Sequence, residues 1–302
     1  MVKILFGGGC LKAAEEGCLK KTLIFDNDLL KFEESSPFII PRRGGQFHKI
    51  EDNLYVFGGC EGYRKHLDSI EIYKNNEWNI LNDTKLPNKN SCFSSININK
   101  KSVIIFGGFN GFECLNDVYQ IINENNEIKI IELPKLITRL KNSAVCYKNN
   151  QSTDSLLFGG WDESRTLKTI FEYNLEKQQL FMDGLMCIPL EGHTITNIFS
   201  NKKLSFIIGG YDGISVRNSI FLYNYEDKSM KKLDICLKIP RENHSTIYDD
   251  EKKLLFIVNG WNGHESLNSI EIFELIFQEP WLIAKNEIFS PVNSSKLCTI
   301  IM

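Results

Sequence analysis

The sequence has no long hydrophobic run. Its apolar stretches are short, such as Val103-Ile104-Ile105-Phe106 and Leu254-Leu255-Phe256-Ile257-Val258, whereas a membrane-crossing helix needs about 20 consecutive apolar residues. No membrane span is expected. Neither sign of charge dominates: 35 Lys and Arg stand against 38 Asp and Glu, a net charge of -3. That balance argues against nucleic acid or an anionic membrane surface as a partner. The nine cysteines are scattered, with no Cys-x-x-Cys and no Cys/His zinc spacing, so no structural metal is expected. A secretory leader is not expected either, because residues 1–6 run straight into Gly7-Gly8-Gly9 and leave no room for an apolar core. An odd number of thiols without an export signal fits a reducing compartment, cytoplasmic or nuclear.

What the sequence does hold is a repeat. A short apolar run ending in a glycine pair recurs as Ile4-Leu5-Phe6-Gly7-Gly8, Tyr55-Val56-Phe57-Gly58-Gly59, Ile104-Ile105-Phe106-Gly107-Gly108, Leu156-Leu157-Phe158-Gly159-Gly160, Phe206-Ile207-Ile208-Gly209-Gly210 and Phe256-Ile257-Val258-Asn259-Gly260. The second glycines lie 51, 49, 52, 50 and 50 residues apart. Nine residues on come Asp117, Thr169, Ser219 and Ser269, with Ser69 and Thr22 a little later in their units. Alternating, β-branched and aromatic strands follow, as in Ser69-Ile70-Glu71-Ile72-Tyr73 and Ser269-Ile270-Glu271-Ile272-Phe273. A polar turn and a further short strand come next, with Trp78 or Trp281 in two units. Each unit therefore holds four short antiparallel strands and no helix. A lone four-stranded sheet cannot cover both of its faces, so repeated units of this kind imply an all-β propeller.

The glycine pairs after hydrophobic strands, the spaced Tyr73 and Trp78, and the period near 50 resemble the kelch repeat over essentially the whole chain. Where Trp is missing, Ile128, Leu180 or Met230 stands in. The expected fold is a single six-bladed kelch-type β-propeller over 1–302, with four antiparallel strands per blade. Blade 1 takes 291–302 plus 1–40, blade 2 41–86, blade 3 87–136, blade 4 137–189, blade 5 190–239 and blade 6 240–290. The C-terminal stretch Asn293-Ser294-Ser295-Lys296-Leu297-Cys298 echoes Asn142-Ser143-Ala144-Val145-Cys146 and Asn90-Ser91-Cys92-Phe93. Residues 293–301 are therefore expected to supply the inner strand that blade 1 lacks, closing a monomeric ring. Nothing is left over for a BTB or F-box domain of the kind that often accompanies kelch propellers.

No catalytic constellation is expected. The five histidines, His48, His66, His193, His244 and His264, include no chelating pair by spacing. His193 and His244 share a place near an inner strand. Glu113-x3-Asp117 continues to Ile121, so the iron motif of the kelch-like specifier proteins is incomplete. Gly7-Gly8-Gly9 lacks the Lys-Ser/Thr of a phosphate loop, and no nucleophile elbow is present. Neither a cofactor nor enzymatic activity is expected.

The resemblance to kelch adaptors implies that another protein docks on the loops after the glycines and on the loops leading into the inner strands. The first set reads Gly9, Cys60, Phe109, Trp161, Tyr211 and Trp261, and the second Gly44, Asn90, Asn142, His193, Asn243 and Ser294. The candidate contacts are therefore Phe109, Trp161, Tyr211, Trp261, Asn90, Asn142, His193 and Asn243, with the nearby cations Arg165 and Arg217. Arg42, Arg43, Arg139, Lys141 and Arg241 lie close in sequence. Neutral residues at the second set disfavour an acidic peptide. The loop from Cys10 to Lys21 is longer than its equivalents, and Ala13-Ala14-Glu15-Glu16 would make one helical turn over the mouth. A sugar-binding or enzymatic propeller and an actin-associated scaffold are the alternative readings.

Overall fold

The computed structural model describes residues 3–12, 17–125, 127–148, 153–198 and 204–302. The helical turn expected at 13–16 lies outside the described residues. The chain divides into two compact units, Met1–Lys141 with Ser294–Met302, and Asn142–Asn293. Among the described residues no helix is long and apolar enough to cross a membrane.

Unit 1 contains three four-stranded antiparallel sheets. Blade 1 holds β1 (Lys3–Gly7), β2 (Thr22–Asp26) and β3 (Lys31–Ser35); blade 2 holds β4 (Gln46–Ile50), β5 (Asn53–Phe57), β6 (Ser69–Lys74) and β7 (Glu77–Lys85); blade 3 holds β8 (Ser94–Asn99), β9 (Ser102–Phe109), β10 (Cys114–Glu124) and β11 (Glu127–Leu133). Unit 2 contains three more sheets. They are β12 (Ala144–Tyr147) to β15 (Gln179–Leu185) with β13 (Ser155–Phe158) and β14 (Thr169–Asn174) between; β16 (Thr194–Ile198), β17 (Leu204–Ile208), β18 (Ser219–Asn224) and β19 (Ser229–Cys236); and β20 (Ser245–Asp249), β21 (Leu254–Val258), β22 (Ser269–Leu275) and β23 (Leu282–Phe289). The last strand, β24 (Cys298–Ile301), returns to blade 1, whose order is β24-β1-β2-β3. Ile4 faces Ile301 and Gly7 faces Cys298.

β24 is shorter than the expected 293–301. Lys296 sits at φ 54°, which bends the chain and leaves only an isolated bridge between Ser295 and Cys10 before the strand starts.

The second strand of each blade is buried on both sides, which is why it reads as continuous apolar sequence. In unit 1, Phe57 and Ile70 of blade 2 pack with Phe93 and Ile105 of blade 3, and Phe38, Phe47 and Trp78 fill the space between blades 1 and 2. Each such aromatic contributes about 1.5–3 kcal/mol by leaving water. The residue facing the Tyr73 position is Trp78 in blade 2, Leu180 in blade 4 and Met230 in blade 5. In blade 3 it is Ile130, opposite Ile121, rather than Ile128. In blade 6 it is Ala284, opposite Phe273, because Trp281 is held at φ 69° in the turn before β23.

The glycine pairs have two jobs. The first member is left-handed, at φ 54° to 67°, and the second lies between 91° and 111°, conformations open to glycine without penalty. The second N–H then reaches into the next loop: Gly59 N donates to Asn90 O at 2.8 Å, Gly108 N to Leu140 O at 2.8 Å, and Gly210 N to Arg241 O at 2.8 Å. Asn259 fills the first place in blade 6 at φ 53°. In blade 1 the pair with these angles is Gly8-Gly9, not Gly7-Gly8, and Gly9 N donates to Arg42 O at 2.8 Å. The repeat therefore steps from Gly9 to Gly59, and Cys10 is the residue that follows the blade 1 pair.

Candidate functional site

In five blades the residue after the glycine pair bridges to the segment leading into the inner strand of the same blade. Cys10 pairs with Ser295, Cys60 with Arg43, Phe109 with Ser91, Tyr211 with Glu191 and Trp261 with Glu242. One residue further along that segment the backbone turns left-handed, at Lys296, Gly44, Cys92, Asn142, Gly192 and Asn243. These residues link neighbouring blades within each unit. In unit 1, Gly44 N donates to Lys296 O at 2.8 Å and Cys92 N to Gly44 O at 2.7 Å; in unit 2, Gly192 N donates to Asn142 O at 2.9 Å and Asn243 N to Gly192 O at 2.7 Å.

This register corrects the sequence alignment of the inner loops. Asn90 and Ser294 stand two residues before the turning position, and His193 stands one after it. Asn90 aligns instead with Arg42 and Arg241, and all three side chains are fully buried. Asn90 Nδ2 donates to Gly107 O at 2.7 Å, and its Oδ1 accepts from Phe109 N at 3.0 Å. Arg42 pairs with Glu71, and Arg241 with Glu271 at 2.6 Å. Glu71 also accepts from Ile39 N and Ile40 N, at 2.9 and 3.0 Å, so the pair pins the loop before β4. These arginines hold the fold and offer no charge to a partner.

The other expected residues are dispersed. His193 and His244 are buried, and burial holds His193 down at about 3. Asn142 donates to Glu191 at 3.0 Å. Arg217 is bound through Nε to Asp212 at 2.6 Å, and Arg165 lies 3.9 Å from Asp162. Trp161, Tyr211 and Trp261 present half-buried rings in unit 2.

In unit 1 the loops enclose a cavity of about 440 Å³. Arg43, Arg64, Lys141 and Lys296 line it, together with His66, Ser91, Cys92 and the rings of Phe109 and Phe112, and among the described residues no carboxylate does. Lys141 Nζ stands 4.5 Å above the Phe109 ring, a cation–π contact. Phe112 is almost wholly exposed, at 96%. His66 shares a 2.9 Å hydrogen bond with Ser91 Oγ and meets Phe109 edge-on. Burial, then the charges of Arg43, Lys296 and Lys141, hold His66 down at about 4, so it is neutral near pH 7. A hollow of about 730 Å³ lies at the outer hairpin of blade 3, but turn residues of both signs, Lys101 and Glu124 among them, form it. Among the described residues the smaller cavity is lined by cations and no carboxylate, and its side chains converge.

Cys92 and Lys296 face each other in the cationic cavity, Nζ to Sγ 3.3 Å. Burial pushes the Cys92 thiol up, but the Lys296 ammonium, the Ser91 hydroxyl and Lys141 outweigh it and leave the thiol below its ordinary range. Among the described residues no group of three or more His, Cys, Asp or Glu is placed to hold a metal ion.

The family model described as the KLHDC2/KLHL20/DRC7 Kelch-repeats domain matches residues 2–180, more than half of the chain. The chain belongs to this kelch-repeat family. Its six four-stranded blades are those of a kelch-type β-propeller, a fold used generally for protein interaction. No curated protein matches this kelch chain. Sequence reasoning placed Phe109 at the kelch mouth and noted Arg43 and Lys141 nearby, but it missed Arg64, His66, Cys92 and Lys296. The last two were hidden by the Asn-Ser echo, which set the loops two residues out of register.

Proposed function

We propose that this kelch domain is a non-catalytic docking module, acting in the cytoplasm or nucleus, whose unit 1 cavity receives an acidic segment of another protein. The observation that carries the reading is charge: among the described residues four cationic side chains and no carboxylate line a cavity flanked by two phenylalanines. Clustered cations raise the local concentration of an anionic partner and speed its encounter. Phe109 and Phe112 offer contact area with few rotors to freeze, the property of interface anchors. Trp161, Tyr211 and Trp261 in unit 2 provide a separate apolar contact for a partner.

Fluorescence anisotropy with a fluorescein-labelled oligoglutamate peptide tests the reading. Binding is expected to weaken with added salt and to fall at least about tenfold in an Arg64→Glu/Lys141→Glu variant, with an oligolysine peptide failing to bind. Equal binding of both peptides, or no loss in the variant, contradicts it.

A further inference from the structure

The cavity has a chemistry that docking does not use. Ser91, Cys92 and Lys296 converge on its wall, and Cys60 lines it as a second thiol. Lys296 Nζ donates to Cys92 Sγ at 3.3 Å, and Ser91 Oγ donates to the same sulfur at 3.7 Å. The backbone fixes this geometry: Cys92 and Lys296 are the left-handed residues on either side of Gly44, joined through it by hydrogen bonds of 2.7 and 2.8 Å. A Cβ at Gly44 would stand 3.0 Å from the Cys92 sulfur, so a side chain there would crowd the thiol. Cys92 is half-buried and opens onto a space of about 440 Å³, enough for a small reagent to reach the sulfur.

We propose that Cys92 is a modification site for hydroperoxides, with Lys296 as the counter-ion of its thiolate. The Cys92 thiolate attacks the outer peroxide oxygen. A sulfur–oxygen bond forms and the oxygen–oxygen bond breaks. Sulfur is oxidised to the sulfenic acid, and the peroxide is reduced to an alcohol or water. The departing oxygen takes its proton from solvent. The lowered thiol, the adjacent ammonium and the surrounding cations are the conditions that separate a reactive cysteine from an inert buried one. Lys296 is itself raised: burial pulls it down, but the Cys92 charge beside it prevails, as expected for a thiolate–ammonium pair. Cys187 and Cys236 are exposed and serve as internal references. The reaction needs no partner protein, so it stands or falls separately from docking.

The full chain treated with one equivalent of hydrogen peroxide, with dimedone as the sulfenic-acid trap, is read by peptide mass spectrometry. Cys92 is expected to be trapped at least about tenfold faster than Cys187 or Cys236. Lys296→Met is expected to remove that advantage, and Lys296→Arg to keep it within about threefold, since a cation remains. Folding of each variant is checked by circular dichroism, and the arginine variant covers the case in which methionine is not tolerated. Trapping of Cys92 no faster than the two exposed cysteines overturns the proposal. So does an unchanged rate in a folded Lys296→Met, or a lost rate in a folded Lys296→Arg.

Discussion

The ammonium of Lys296 lies 3.3 Å from the sulfur of Cys92, although 204 positions separate the two residues in the chain. The contact exists because β24 completes blade 1 and carries Lys296 back beside Gly44 and Cys92. Deleting residues 293–302 removes both the strand and the cation. It also exposes the edge of β1, whose Ile4 and Leu5 are fully buried. The truncated chain is expected to lose its cooperative thermal transition by circular dichroism and to aggregate, as uncovered strand edges do. A soluble truncation melting near the full-length value would show that β24 is dispensable.

Arg42 and Glu71 form a fully buried pair, as do Arg241 and Glu271 in the equivalent loop of blade 6. Removing one partner strands the other charge. Arg42→Met or Glu71→Gln is expected to cost about 3–5 kcal/mol in urea denaturation, and the double variant Arg42→Met/Glu71→Gln less than the sum of the two singles. The exposed Lys231–Glu279 pair should leave the denaturation midpoint unchanged when Lys231 becomes Ala. Equal effects from the buried and the exposed pair would contradict this.

Gly108 has φ 111°, and a Cβ built there would stand 1.8 Å from Asn90 Oδ1. Gly108→Ala must displace the amide that holds Phe109, so a loss of about 3 kcal/mol or more is expected. Gly213 shares a positive φ but has no atom nearer than 3.6 Å, so Gly213→Ala should cost only backbone strain, about 1–2 kcal/mol. Urea midpoints of the two variants decide whether the close approach or the dihedral dominates.

Burial holds His48 at about 4, and burial with the neighbouring cations holds His66 at the same value, against about 6.5 when unfolded. Between those values the unfolded chain binds protons that the folded chain does not. The stabilisation is therefore complete above pH 6.5 and is lost as the pH falls towards 4, by about 1.4 kcal/mol per pH unit for each histidine. Urea midpoints should fall between pH 7 and pH 5, where most carboxylates are still ionised. A flat profile over that interval, or no flattening in His48→Gln, would contradict the assignment.

Most of the fold was legible because glycine pairs, β-branched alternation and a period near 50 each report a backbone requirement directly. The return of the C-terminal strand was legible from the Asn-Ser echo. The same echo misaligned the inner loops, because a left-handed residue can be Gly, Asn, Cys or Lys, as at Gly44, Asn142, Cys92 and Lys296, and only the dihedral reveals the equivalence. Gly7 was mistaken for a member of the blade 1 pair for the same reason: three consecutive glycines conceal which two turn. Phe109 stood out by type, whereas the cationic cavity draws on six separate loops and no local pattern announces it. Arg42 and Arg241 looked like surface cations because their partners, Glu71 and Glu271, lie about 30 residues away on another strand.

Hydrogen–deuterium exchange on the full chain, with and without the labelled oligoglutamate peptide, tests the docking cavity most directly. Slower exchange is expected in the segments around Arg43, Arg64, Cys92, Phe112 and Lys296, and that protection should disappear in the Arg64→Glu/Lys141→Glu variant. Protection confined to other segments, or persisting unchanged in the variant, would contradict the account.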